Sequence, residues 1–139
     1  MKILFDTNVI LDELLERQPF VGQADRLLTA VEHQELTGLL AATAVTTIHY
    51  ITARSIGSKT ARHAISHLLL LFDIAPVTHQ VLTSALSLPF RDYEDAVIHE
   101  AARLADVDGI VTRDSADFQH ATLPMYSPEE LIRVLKARS

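Results

Sequence analysis

Apolar and polar positions follow two rhythms along this chain. Short apolar runs bounded by turn-forming residues predict buried strands over residues 2–6, 36–41, 74–77 and 109–112, with another in "LPMYS". Between these runs apolar residues recur every three or four positions. That spacing predicts helices over residues 9–16, 20–33, 43–53, 59–72, 81–88 and 92–105. Val21, Ala24, Leu27, Leu28 and Val31 form one such face, and Ala96, Val97, Ala101, Leu104 and Ala105 another. Punctuation agrees with the rhythm. Gly57 in "SIGS" separates two helices, Pro89 stops a third, and Pro76 weakens the 74–77 strand. Ser127-Pro128-Glu129-Glu130 supplies a cap, a proline at the first helical position and early acids for a last helix.

Strands alternating with helices predict an α/β fold with a mainly parallel sheet. The chain has 139 residues and shows no internal repeat, low-complexity tract or linker, so a single domain over residues 1–139 is expected.

Composition removes several function classes. The longest apolar run, Leu68 to Phe72, is far shorter than the roughly 20 residues of a membrane helix, so no membrane partner is expected. The first residues lack the zones of a signal peptide. Cysteine is absent, which excludes disulfides and thiolate metal sites and fits a cytoplasmic location. The net charge is −6. A passive nucleic-acid binder draws affinity from a basic face. An acidic chain acts on nucleic acid when its carboxylates gather around divalent cations that the substrate shares. Total charge does not separate these cases.

The placement of the acids is more informative. In parallel sheets, ligands sit outside the carboxyl ends of the strands. Asp6 follows the first predicted strand, and Asp114 follows the strand in "GIVTRD", with Asp117 a turn later. Asp92, Glu94 and Asp95 crowd the start of the preceding helix. Each acid has an ordinary alternative: a helix cap, a turn former, or a charge matched to the helix macrodipole. Their coincidence at ends that the fold brings together keeps a metal site open beside those alternatives. Oxygen donors alone favour Mg²⁺ or Mn²⁺ over zinc.

Three stretches carry a family resemblance: "LFDTNVILD", "DYEDAVIHEAA" and "GIVTRDSADF", with "LPFRDYEDA" and the final "SPEELI" extending it over nearly the whole chain. The chain resembles the PIN-domain family and, within it, the small VapC-type toxins. The resemblance implies a three-layer α/β/α sandwich with a central parallel sheet and a metal-dependent ribonuclease site. Carried over by position, the acids are Asp6, Asp95 and Asp114, with Asp117 as a neighbouring ligand. Asn8 and Thr112 match small polar positions that orient them. The resemblance also implies an RNA substrate, a cognate antitoxin and a homodimer.

One position departs from the family pattern. The helix after the second strand usually carries a glutamate, but "LAATAVTTIHYITAR" has Thr47 there, and no acid occurs between Leu36 and Ile56. Glu94 or Asp92 compensates, or a water fills the place, and a weaker metal site is expected. Loss of catalysis is the alternative, leaving an RNA- or protein-binding module. A more distant reading is a Mg²⁺-dependent phosphatase or DNA nuclease of similar architecture. Arg91 and Arg113 flank the acids as candidate contacts to the RNA backbone, with local charge balance as the equal alternative.

Other candidates carry less. His63 and His67 stand at i, i+4 without an HExxH context, which fits a surface role better than a metal site. His49 reads as a partly buried structural residue. Ser55, Ser58 and Ser66 lack base and acid partners for a nucleophilic triad.

Overall fold

β1 (Lys2–Phe5) lies at the centre of the sheet, and its alternation builds both halves of the core. The computed structural model describes every residue from Met1 to Ser139. After β1 come α1 (Thr7–Leu14), α2 (Val21–Glu32), β2 (Thr37–Ala41), α3 (Ala42–Ile56), α4 (Ser58–Leu71) and β3 (Asp73–Ala75). The second half holds α5 (His79–Leu86), α6 (Tyr93–Leu104), β4 (Gly109–Val111), a 3₁₀ turn at Ser115–Phe118, β5 (Met125–Tyr126) and α7 (Pro128–Arg138).

The five strands run in the order β3-β2-β1-β4-β5, and every pairing is parallel. Ile3 and Phe5 face one side of the sheet, where they pack with Ile10, Leu27, Ile48, Leu68 and Leu131 of the helices there. Leu4 faces the other side, against Val81 of α5 and Val97, Ile98 and Ala101 of α6. This gives the three-layer α/β/α arrangement that the resemblance implied. All three β1 side chains are fully buried, each stabilising the fold by about 1.5–3 kcal/mol. Ile3 pairs with Gly38 on one side and Gly109 on the other. A Cβ at Gly38 would lie 2.6 Å from the Phe72 ring, and one at Gly109 would lie 2.6 Å from the Tyr126 ring. Glycine at these positions lets two aromatic rings close over the sheet.

The predicted elements are present, with shifted ends. The third strand stops at Ala75 rather than reaching Val77, because Pro76 has no N–H to continue the ladder. The helix expected to end at Ala53 runs on to Ile56, where Gly57 turns the chain at φ 96°. Ser127 and Glu130 form a reciprocal capping box at the start of α7. No helix is long and apolar enough to cross a membrane.

This strand order places the functional region. The chain winds from β1 outward through β2 to β3, then crosses to the opposite side of β1 to form β4 and β5. The winding direction therefore reverses between β1 and β4. At such a switch point the loops leaving adjacent strands diverge and open a crevice beyond their carboxyl ends. Asp6 and Thr112 are the first residues past those two ends.

Candidate functional site

Asp6 is both a helix cap and a member of a polar cluster. Its backbone N–H still bonds to Val111 O at 2.9 Å, which fixes it to the sheet. Its Oδ1 accepts from the Thr7 N–H at 2.9 Å and so caps α1. Its Oδ2 accepts from Thr112 Oγ1 at 2.7 Å. The Thr112 hydroxyl is buried and also accepts from the Asp114 N–H at 3.1 Å, so one residue orients two acids. Asn8, in the first turn of α1, donates through Nδ2 to Asp114 Oδ2. The positions expected to orient the acids, Asn8 and Thr112, thus contact them directly.

The second wall comes from α6. Asp92 caps that helix, accepting from the Glu94 and Asp95 N–H groups at 2.7 and 3.2 Å. This cap sets Glu94 and Asp95 in the first turn, facing β1 and α3. Glu94 reaches α3, where Thr47 Oγ1 donates to its Oε1 at 3.2 Å. Asp6, Thr7, Asn8, Thr47, Asp92, Glu94, Asp95 and Asp117 line one cleft of about 200 Å³, together with Leu11 and Ile98. An adjoining hollow shares Asp92, Asp95 and Asp117 and adds Phe90, Arg91, Ala116, Gln119 and His120.

Charge in this cleft is poorly compensated. Burial pushes Asp6 up to about 6, against the lowering effect of its bonds from Thr112 and Thr7, and Asp114 and Asp117 push the same way. Burial also raises Asp95, to about 7, and the negative charges of Asp6, Asp92, Asp117 and Glu94 add to it. The start of a helix favours an ionised carboxylate. Here burial and like charge outweigh that preference.

Two features bear on whether a cation fits. Thr7 Oγ1 and Asn8 Oδ1 are buried without hydrogen-bond partners, and both residues line the cleft. Unpartnered oxygens beside carboxylates held above their usual range form a donor set suited to a hard cation. Yet no three His, Asp or Glu side chains converge closely enough to chelate one ion directly.

Two expected site residues stand apart from the cleft walls. Asp114 is held beside Asn8, with its side chain 43% exposed. Arg113 is clamped by Asp12 of α1 through bonds of 2.7 and 3.2 Å and lies over the Phe20 ring at 4.2 Å. Arg91, in contrast, lines the hollow. Asp12, an acid closing the apolar run Val9-Ile10-Leu11, is buried against the Arg113 guanidinium, a pairing with no local sequence signal. Gln119 and His120 had no such signal and reach the hollow through the 3₁₀ turn.

Residues 2–116 match the family model described as PIN domain. No curated protein sequence matches the chain. Among solved structures, the chain is similar to VapBC2 of Rickettsia felis bound to a promoter DNA fragment. That match has a TM-score of 0.69 and 12% identity, covering 91% of this chain and 98% of the other. It is also similar to a toxin-antitoxin complex from Klebsiella pneumoniae, with a TM-score of 0.67, 21% identity and coverage of 91% and 97%. A third match is VapC20 of Mycobacterium tuberculosis, a sarcin-ricin loop cleaving toxin, with a TM-score of 0.64, 15% identity and coverage of 78% and 86%. These likenesses establish the fold, and the family match extends over most of the sequence: the chain belongs to the PIN-domain family.

Proposed function

We propose that this protein is a divalent-metal-dependent endoribonuclease and the toxin of a toxin-antitoxin pair. The observation that carries this reading is the meeting of Asp6, Asp95 and Asp117 at the switch point of the sheet, with Asp6 and Asp95 held well above their usual range. The toxin-antitoxin neighbours support the second half of the reading.

Asp6, Asp95 and Asp117 would hold Mg²⁺ or Mn²⁺, partly through water, with Asn8 Oδ1 as a neutral donor. Such an ion would supply an activated water and charge neutralisation at the scissile phosphate. The remaining work belongs to the chain. Thr112 and the Thr7 N–H fix the Asp6 carboxylate, and Asn8 fixes Asp114. Asp95, raised to about 7 by burial and its acidic neighbours, would meet a cation as the carboxylate. Glu94, bonded to Thr47, brings negative charge to the place of the usual family glutamate. Arg91, on the rim, meets the phosphate backbone.

A homodimer and a small antitoxin complete the proposal. Toxin-antitoxin complexes among the structural neighbours support the antitoxin part of this reading. The second reading is a catalytically silent binding module, favoured by Thr47 and by the absence of three converging ligands. Cleavage assays on RNA and on single-stranded DNA, with Mn²⁺ or with EDTA, decide between them. The nuclease reading expects RNA cleavage that EDTA abolishes. RNA binding without cleavage in either buffer overturns it.

A further inference from the structure

We propose that His99 is a positioning residue that holds the Asp117 segment against the cleft. The inference rests on the nuclease reading for its consequence and on hydrogen-bond geometry for its basis. His99 is on α6, one turn beyond Asp95, and is 1% exposed. Its Nε2 lies 3.1 Å from the Thr122 backbone nitrogen, and its Nδ1 lies 3.0 Å from Glu100 Oε2. A backbone N–H only donates, so Nε2 is the acceptor and the ring proton sits on Nδ1, donating to Glu100. Glu100, 4% exposed, is held in turn by Arg103 through bonds of 3.0 to 3.3 Å. Arg103, Glu100 and His99 form a chain that selects one tautomer and ends on Thr122, whose backbone N–H and Oγ1 lie 3.1 and 3.3 Å from Nε2.

That amide is well placed. Thr122 closes the stretch that leaves β4, carries Asp117 in the 3₁₀ turn and returns to β5. Within the stretch, Asp117 N–H bonds to Asp114 O at 3.0 Å and Ala121 N–H to Phe118 O at 2.9 Å, which are local bonds. The Thr122 to His99 bond ties the stretch to α6, the helix that carries Asp95. Packing reinforces the tie. The Phe90 ring lies 5.3 Å from the His99 ring and meets the buried Phe118 ring edge-on at 5.8 Å. Phe90 precedes Arg91 and Asp92 on one rim, and Phe118 follows Asp117 on the other. His99 thus contacts both rims and sets the distance between Asp95 and Asp117. A buried, Arg-paired glutamate beside a histidine is expensive to desolvate, and its bond to Nδ1 leaves Nε2 facing the Thr122 N–H as the acceptor.

Two replacements separate this role from simple space filling. In His99→Gln the amide oxygen reaches the place of Nε2 and can accept from Thr122. In His99→Asn the shorter side chain reaches only the place of Nδ1. Backbone amide exchange at Thr122 in the metal-free protein, and Mn²⁺-dependent RNA cleavage, are measured for these two and for His99→Ala. The expected result is fast Thr122 exchange in Ala and Asn and near wild-type exchange in Gln. The value of kcat should fall roughly ten- to hundredfold in Ala and Asn with KM little changed, as for a slightly misplaced reacting group, and Gln should recover most of it. In an Asp117→Asn background, His99→Ala should cost less than about twofold more, since both act through one group. Equal behaviour of Gln and Asn, unchanged Thr122 exchange in Ala, or an undiminished cost in the Asp117→Asn background overturns the proposal. If the wild type cleaves no RNA, the nuclease reading fails, and Thr122 exchange alone still decides whether His99 holds the segment.

Discussion

Thr47 Oγ1 lies 3.2 Å from Glu94 Oε1 and 3.3 Å from the Thr43 carbonyl, so its one proton is shared between its own helix and the first turn of α6 across the cleft. The resemblance leads one to expect a glutamate at position 47; a hydroxyl stands there, with a carboxylate from another helix within its reach. This contact supports Glu94 as the compensating acid.

The exchange between these two positions is testable. Glu94→Gln should lower Mn²⁺-dependent cleavage roughly tenfold, about 1.4 kcal/mol of transition-state stabilisation. Thr47→Glu alone should give little gain, because it sets two carboxylates side by side. The double variant Thr47→Glu/Glu94→Gln should recover activity. Initial rates with Mn²⁺ check this, and a fully active Glu94→Gln would leave Glu94 as a helix-start acid only.

Asp95 should make stability fall as pH rises. Its folded value of about 7 lies above the ordinary 3.8, so between those values the native state binds more protons than the unfolded chain. The ionised group then destabilises the fold fully above about pH 7 and not at all below about pH 4. Asp95 is partly exposed and solvent screens the effect, so Asp95→Asn should stabilise the metal-free protein at pH 8 by roughly 0.5–2 kcal/mol. Denaturant melts in EDTA should show that gain disappear near pH 4, and Mg²⁺ at pH 8 should shrink it. An identical change in both buffers would remove Asp95 from any metal site.

Thr112→Val should act on Asp6. The variant removes a donor to Asp6 and an acceptor for Asp114, at a cost of about 1–3 kcal/mol. The lost bond had lowered Asp6, so the Asp6 carboxyl should rise further above about 6. The acid limb of the pH-rate profile should move to higher pH. Thr112→Ser should move it little.

The two arginines should separate cleanly. Arg113→Ala leaves Asp12, which is 1% exposed, with only the 3.8 Å pairing to Arg17, and should cost about 2–4 kcal/mol of stability. Arg91→Ala should leave the melt unchanged but raise KM for RNA several-fold and reduce its dependence on salt. A raised KM in a fully stable Arg113→Ala would instead make Arg113 an RNA contact.

Metal binding itself should be weak and should depend on Asp6. Calorimetric titration with Mn²⁺ should give a low-affinity isotherm that Asp6→Ala abolishes. Matching isotherms for the two proteins would exclude Asp6 as a ligand.

The apolar pattern alone determined the alternation of strands and helices, because burial on a strand or helix repeats with a local period. Pro76 and Gly57 marked breaks for equally local reasons, a missing N–H and a positive φ. Asp6 and Asp92 were legible as residues at element junctions, and the structure shows both capping helices. Tertiary structure decided which junction residues share a cleft. Asp114 turns to Asn8, and Arg113 is claimed by Asp12, 101 positions away in sequence. Glu94 finds Thr47 at a separation of 47, and His99 finds Thr122 at 23. None of these pairings has a local period to reveal it. They depend on the order β3-β2-β1-β4-β5, which sets β4 beside β1 and α6 over the opposite face from α1, and on where each side chain then points.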